Sequence, residues 1–182
     1  MKIHKLESFY IINQLKNHNS LKKQLLDCIN DMPNNDRRMG YENITKTDWS
    51  LPRDYHRKYI DIFYKEIPGV MEEIKNFLHC TEWNITNTWF NQYIKNDFNG
   101  WHNHPGSNFA NVYYLELPED GMQTEFLDVR TNKIISDIKV KEGDIITFPA
   151  HILHRSKAIN SDKRKTIIAF NSCFDNVKVL EA

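Results

Sequence analysis

The chain changes character at Thr81. Downstream of it, short β-branched and aromatic runs alternate with turn signals, the pattern that antiparallel sandwiches and barrels impose on a sequence. The runs fall at residues 85–94, 108–117, 123–129, 132–140, 145–148 and 165–174. Between them stand Asn99-Gly100, the turn from Pro118 to Gly121, Lys141 to Asp144, and the hard stop Pro149. With the segment around residues 101–104 this makes about seven or eight strands in ~95 residues. Many short strands leave many unpaired edges, and stacking two sheets into a jelly roll is one way to manage them. The expected fold is therefore mainly β, a jelly roll with supporting N-terminal α-helices.

Residues 1–80 read as that support. Ser20 is a plausible N-cap for a helix over 21–29, in which Leu21, Leu25 and Cys28 share a face. Pro33 breaks it, and residues 38–50 read as loop. A second helical pattern starts near Arg53, with Tyr55, Tyr59, Ile62 and Phe63 at helical spacing. Pro68 and Gly69 interrupt this pattern, and Val70, Ile74, Phe77 and Leu78 resume it. The expected organisation is one domain over 1–182, with helical support at 1–80 and the jelly-roll core at 81–176.

Composition narrows the function classes. The chain has 24 basic and 24 acidic residues, so no net field draws it to nucleic acid or a membrane. Three dispersed cysteines form no disulfide framework and no Cys-x-x-Cys site, which suits a reducing compartment. No apolar run approaches the roughly 20 residues of a membrane span, and the N-terminus lacks the apolar region of a signal peptide. A cytoplasmic protein is the expectation, and a homodimer is left open.

The chemistry gathers in Trp101-His102-Asn103-His104-Pro105-Gly106-Ser107. Residues two apart on a strand point to one face, so His102 and His104 would project together as half of a metal site. A solvated pair of histidines is the alternative. His154 follows the strand that Pro149 ends and can supply the other half; His151, three residues earlier, points elsewhere in an extended chain. Arg164 and Thr166 share one face of the last strand with Ile168 and Phe170. If that face is interior, the guanidinium needs a carboxylate partner, which its planar fork accepts bidentately. If it is not, Arg164 is an exposed residue at a strand start. Asn91 and Tyr93 alternate onto one face before the site, where they can bond a co-substrate or serve as core polar residues.

Taken together, Trp-His-Asn-His-Pro-Gly-Ser, Val112-Tyr113-Tyr114-Leu115, Phe126-Leu127-Asp128, Gly143-Asp144, Phe148-Pro149, His154 and Arg164-Lys165-Thr166 through Phe170-Asn171 resemble the phage and bacterial branch of the 2-oxoglutarate/Fe(II)-dependent oxygenases. The resemblance covers residues 85–174. It implies that the jelly roll is a cupin-like double-stranded β-helix, and that the chain is a dioxygenase that uses Fe(II), O2 and 2-oxoglutarate as co-substrate, releases succinate and CO2, and hydroxylates a protein side chain, a nucleobase or a metabolite. It matches His102 and His154 to iron ligands, and Arg164 and Thr166 to the clamp on the distal carboxylate of 2-oxoglutarate. This chain departs from the family's His-x-Asp/Glu by carrying His104. Either His104 completes a three-histidine face, or Asp128 supplies the missing carboxylate. Two other readings compete: a jelly roll that has lost its catalysis, and a cupin-like metal protein that does without 2-oxoglutarate.

Overall fold

In the computed structural model, which describes residues 2, 4, 6–118 and 121–178, two six-stranded antiparallel sheets face each other in the expected double-stranded β-helix. The elements run β1 (Ile11–Gln14), α1 (His18–Asn30), β2 (Arg37–Met39), β3 (Glu42–Ile44), β4 (Lys46–Thr47), α2 (Lys58–Glu66), α3 (Pro68–Phe77) and β5 (Glu82–Tyr93). They continue with β6 (Phe98–His102), β7 (Phe109–Glu116), β8 (Glu125–Asp128), β9 (Lys133–Ile135), β10 (Asp144–Pro149), β11 (His154–Ser156) and β12 (Lys165–Asp175). The major sheet has the order β1-β10-β7-β12-β5-β4, and the minor sheet β2-β3-β6-β11-β8-β9. Two residues of the turn at 118–121, Glu119 and Asp120, lie outside the described residues.

The major sheet is covered on both faces. Phe90, Tyr113, Leu115, Ile145, Ile168 and Phe170 pack outward against Leu25 and Ile29 of α1, Tyr59 and Phe63 of α2, and Met71 and Ile74 of α3. Trp89, Tyr93, Val112, Tyr114, Phe148 and Ile167 pack inward, between the sheets. A strand buried on both sides needs apolar residues at consecutive positions, which is why β12 is buried almost continuously. The minor sheet has one wet face, and its edge strand β9 is exposed throughout.

Several boundaries differ from expectation. The helix α1 starts at His18 rather than after Ser20, whose hydroxyl bonds back to the Asn17 carbonyl at 2.8 Å instead of capping. The stretch read as loop at 38–50 carries most of β2 and all of β3 and β4, and β1 also falls in the region expected to be helical. These strands are two to four residues long, too short for period-2 alternation to be visible. The run at 132–140 is a strand only over Lys133–Ile135. Helix α2 begins at Lys58, because Asp48 takes Arg57 and Tyr59 as partners and sets the entry. Asp48 accepts from Arg57 Nε at 2.8 Å, the Tyr59 hydroxyl at 2.6 Å and the Phe90 amide at 2.9 Å, tying α2 to β5.

The hairpin of β2 and β3 leans on β6 at one glycine. A Cβ on Gly100 would lie 2.5 Å from the Tyr41 carbonyl oxygen, a backbone atom that also accepts the Gly100 amide at 2.8 Å. Gly100→Ala is therefore expected to displace the hairpin and cost about 1–3 kcal/mol, as overpacking does. Urea unfolding checks the cost, and amide exchange over residues 37–44 checks the displacement.

Candidate metal centre

Two strands and one turn bring the histidines together. His102 ends β6 and pairs directly with His154 at the start of β11. His104 lies just past β6, held by its amide bond to the Ala150 carbonyl at 2.9 Å. Nitrogen donors of His102, His104 and His154 all lie within 4.8 Å of one another.

Their tautomers follow from their partners. A carbonyl can only accept, so His102 Nδ1–H donates to Gly100 O at 2.8 Å and His154 Nδ1–H donates to Ile152 O at 3.0 Å. Each ring then turns a bare Nε2 lone pair toward the centre, as metal-binding histidines do. The third ring is oriented by Trp89, which stacks on His104 with centroids 5.6 Å apart. Burial lowers all three pKa values: His104 to about 4, His154 well below the usual imidazole range, and His102 downward despite its carbonyl bond. Neutral imidazole is the form that binds metal. His104 Nε2 and His154 Nε2 are 3.1 Å apart. Two imidazole nitrogens ~2.1 Å from one ion at a right angle would be separated by ~3.0 Å, so the pair fits one octahedral edge.

Asp128 lies outside this cluster. Its carboxylate takes the Arg130 side chain at 3.1 Å and the Arg130 amide at 3.0 Å, and these bonds hold its pKa down at about 2. His151 is exposed and lines a separate apolar groove with Tyr10 and Phe126.

The clamp expectation needs a correction. Arg164 and Thr166 do not face the interior: Ile168 and Phe170, on the same face, pack against the helices. Arg164 does hold a carboxylate bidentately, but it belongs to Glu116, at 2.9 and 3.1 Å, and the Thr166 hydroxyl donates to the same group. The reason is parity. Both faces of β12 are apolar, and a one-residue shift exchanges inside for outside.

The residue that does face inward is Lys165, 1% exposed, whose strand face continues with Ile167 and Ala169. Its Nζ donates to Ser156 Oγ at 2.9 Å and sits 5.1 Å from the Tyr93 ring centroid. Burial pushes its pKa down to about 7, with Glu125 opposing. Among the described residues no carboxylate bonds it. Lys165, Tyr93, Thr124 and Ser156 line one small chamber, about 30 Å3, together with the three histidines. Sequence reasoning missed Lys165 because nothing in an alternation of apolar residues marks which face is interior. Asn91 and Tyr93 do line this chamber, with Asn91 Nδ2 donating to the Tyr93 hydroxyl at 3.1 Å.

On the other side of the histidines a mouth of about 390 Å3 opens, walled by Trp49, Trp89, Tyr41, Asn171, Pro105 and the Arg37–Glu42 pair. The histidines thus stand between a narrow inner chamber holding one ammonium and a wider, aromatic entrance. Among the described residues no helix is long and apolar enough to cross a membrane.

No protein-family model and no curated protein sequence matches the chain. Solved structures do. A 2OG-Fe(II) oxygenase family oxidoreductase from Burkholderia pseudomallei is similar at a TM-score of 0.69 and 12% identity, over 90% of this chain and 85% of that one. A prolyl-4-hydroxylase from Pseudomonas putida is similar at 0.61 and 12% identity, over 91% and 93%. A Trichoplax adhaerens prolyl hydroxylase, solved with a hypoxia inducible factor peptide, is similar at 0.62 and 14% identity, over 91% and 83%. The chain has the fold of the 2OG-Fe(II) oxygenases.

Proposed function

We propose that the chain is an Fe(II)- and 2-oxoglutarate-dependent oxygenase that hydroxylates its substrate. One observation carries the reading: three neutral imidazole nitrogens converge beside a chamber that contains a single buried ammonium with no carboxylate partner. His102, His104 and His154 would hold the iron. Lys165, with Ser156 and Tyr93 beside it, would hold the distal carboxylate of 2-oxoglutarate, the role expected of Arg164 and Thr166. Asn91 positions the Tyr93 hydroxyl. When bound, iron supplies the O2 chemistry, with 2-oxoglutarate decarboxylated to succinate and CO2. The protein's part is to bind, orient and keep water out. Phe148 and Phe126 do the last of these, stacking edge-on behind His154, with Phe148 4.6 Å from the imidazole and Phe126 4.8 Å from Phe148. The prolyl hydroxylases of similar fold support hydroxylation as the outcome. The three free cysteines suit a reducing, cytoplasmic setting.

Anaerobic titration of the Fe(II)-loaded protein with 2-oxoglutarate tests this. One equivalent is expected to raise the weak visible charge-transfer band of a chelated 2-oxo acid. The chamber's small volume and the third histidine in place of a carboxylate favour a second reading, a cupin-like metal protein that does not use 2-oxoglutarate. A metal-loaded protein that gives no band and binds no 2-oxoglutarate would establish that one instead.

A further inference from the structure

We propose that Asn171 is the specificity-determining residue of the mouth, and that the mouth receives a neutral, flat, cyclic amide through that side chain. The inference rests on reading this mouth as the substrate entrance. Asn171 lies on the inward face of β12, six residues beyond Lys165, where the ladder to β5 shifts register. It is 7% exposed and lines the mouth, and its Oδ1, itself buried, has no hydrogen-bond partner among the described residues. Neighbouring asparagines are satisfied: Asn91 bonds the Tyr93 hydroxyl, and Asn111 bonds the Phe170 carbonyl, Ser172 and Thr147. A buried, orphaned amide oxygen costs stability, so one retained at a binding mouth points to a partner that arrives. The terminal torsion of an asparagine is soft, so the amide can turn its oxygen to a ligand.

The shape of that partner follows from the amide. Once that amide turns to the mouth, Asn171 offers one acceptor and one donor side by side. A cyclic amide, held cis, presents N–H and C=O on one edge and matches both, whichever way the side-chain amide is turned. An open-chain peptide bond is trans and presents them on opposite edges. The walls select a flat, uncharged body. Trp49 and Trp89 meet edge to face at 4.6 Å, and Trp89 leads to His104. Arg37 lies over Trp49 at 5.6 Å but is neutralised by Glu42, 2.5 Å away. With its charges cancelled, the mouth has no hold on a phosphate backbone, so a free heterocycle fits better than a base within a strand.

The test uses a matched pair, 2-pyridone and N-methyl-2-pyridone, which share a flat ring and differ in the N–H donor. Each is titrated into the Zn(II)-loaded protein and followed by NMR, with 2-oxoglutarate titrated separately into the same preparation. Wild type is expected to prefer 2-pyridone by about tenfold or more, the usual cost of leaving a buried polar group unpaired. Asn171→Leu should erase the preference, keep the weak ring contact, and melt no lower than wild type. Asn171→Asp, nearly isosteric but lacking the donor, should also lose affinity for 2-pyridone, which keeps the test valid if the leucine variant folds poorly. Equal binding of the two rings by wild type, a preference that survives Asn171→Leu, or an Asn171→Asp variant that binds 2-pyridone as tightly as wild type overturns the proposal. A dT oligomer that binds far more tightly than thymidine, with strong salt dependence, would overturn the assignment to a free heterocycle. A protein that discriminates the pyridones but ignores 2-oxoglutarate would keep this inference and remove the oxygenase reading alone.

Discussion

Lys165→Ala is expected to weaken 2-oxoglutarate binding by roughly 30-fold or more, while Arg164→Ala leaves it within about twofold. The first removes the ammonium of the inner chamber; the second removes a guanidinium already occupied by Glu116 on the far face of the strand. Calorimetric titration of the Fe(II)-loaded variants under anaerobic conditions measures both. A loss confined to Arg164→Ala would return the clamp to the outer face. The pH dependence has a definite sign. The ammonium, not the amine, attracts a carboxylate, and in the free protein burial holds the Lys165 pKa at about 7. Apparent affinity should therefore fall about tenfold per pH unit above that value, until the bound dianion's own stabilisation of the ammonium is exhausted. The same depression makes the residue a liability to folding. Between pH 7 and the unfolded lysine value near 10.5, the unfolded chain binds the extra proton, so this residue's contribution to stability improves as pH rises. Lys165→Met should weaken co-substrate binding as much as Lys165→Ala and yet raise the melting temperature at neutral pH, a combination no purely structural lysine would give.

His154→Ala is expected to abolish stoichiometric metal binding, and His104→Ala to lower affinity by more than the 10–100-fold that removal of an outer-shell partner typically costs. Asp128→Ala should leave it unchanged, because that carboxylate is satisfied by Arg130 outside the cluster. His154 is the most buried of the three, 4% exposed, and pairs with His102 across the ladder, so its loss opens the centre as well as removing a donor. Metal content after dialysis against a competing chelator gives the ranking. Should Asp128→Ala release the metal and His104→Ala retain it, the third ligand would be the carboxylate after all.

What could be read from the sequence, and what could not, divides along physical lines. The β-helix was legible because its turns are written in Asn-Gly, Pro and Gly, and its strands in β-branched and aromatic residues. The histidine cluster was legible because His-x-His on a strand end is a local arrangement. His104 converges although β6 has ended by His102, since a main-chain bond to Ala150 replaces the strand in aiming it. Which cation faces the interior was not legible. The expected pair, Arg164 and Thr166, lies on the other side of β12, where Glu116 is their carboxylate and the helices are the neighbours. Strand parity tells inside from outside only when one face is polar, and here neither is. Nor could alternation reveal β2, β3 and β4: β3 and β4 are held by tertiary pairing to β6 and β5, and β2 by pairing to β3, rather than by their own pattern.

On the assignments made above, β12 carries Lys165 near one end and Asn171 six positions along the same face. At ~3.3 Å per residue, that sets the two recognition groups roughly 20 Å apart along one covalent rod. The rod is clamped between β5 and β7 for nearly its whole length. Its span is a matter of bond lengths and angles, so side-chain repacking around it changes the distance little. The chain therefore works as a gauge: whatever lies against the lysine and whatever lies against the asparagine are held at a calibrated interval with the histidines between them. A single-residue insertion in the 157–164 approach that slid the strand by one position would present Arg164 and Phe170 in their places, losing both calibrations at once.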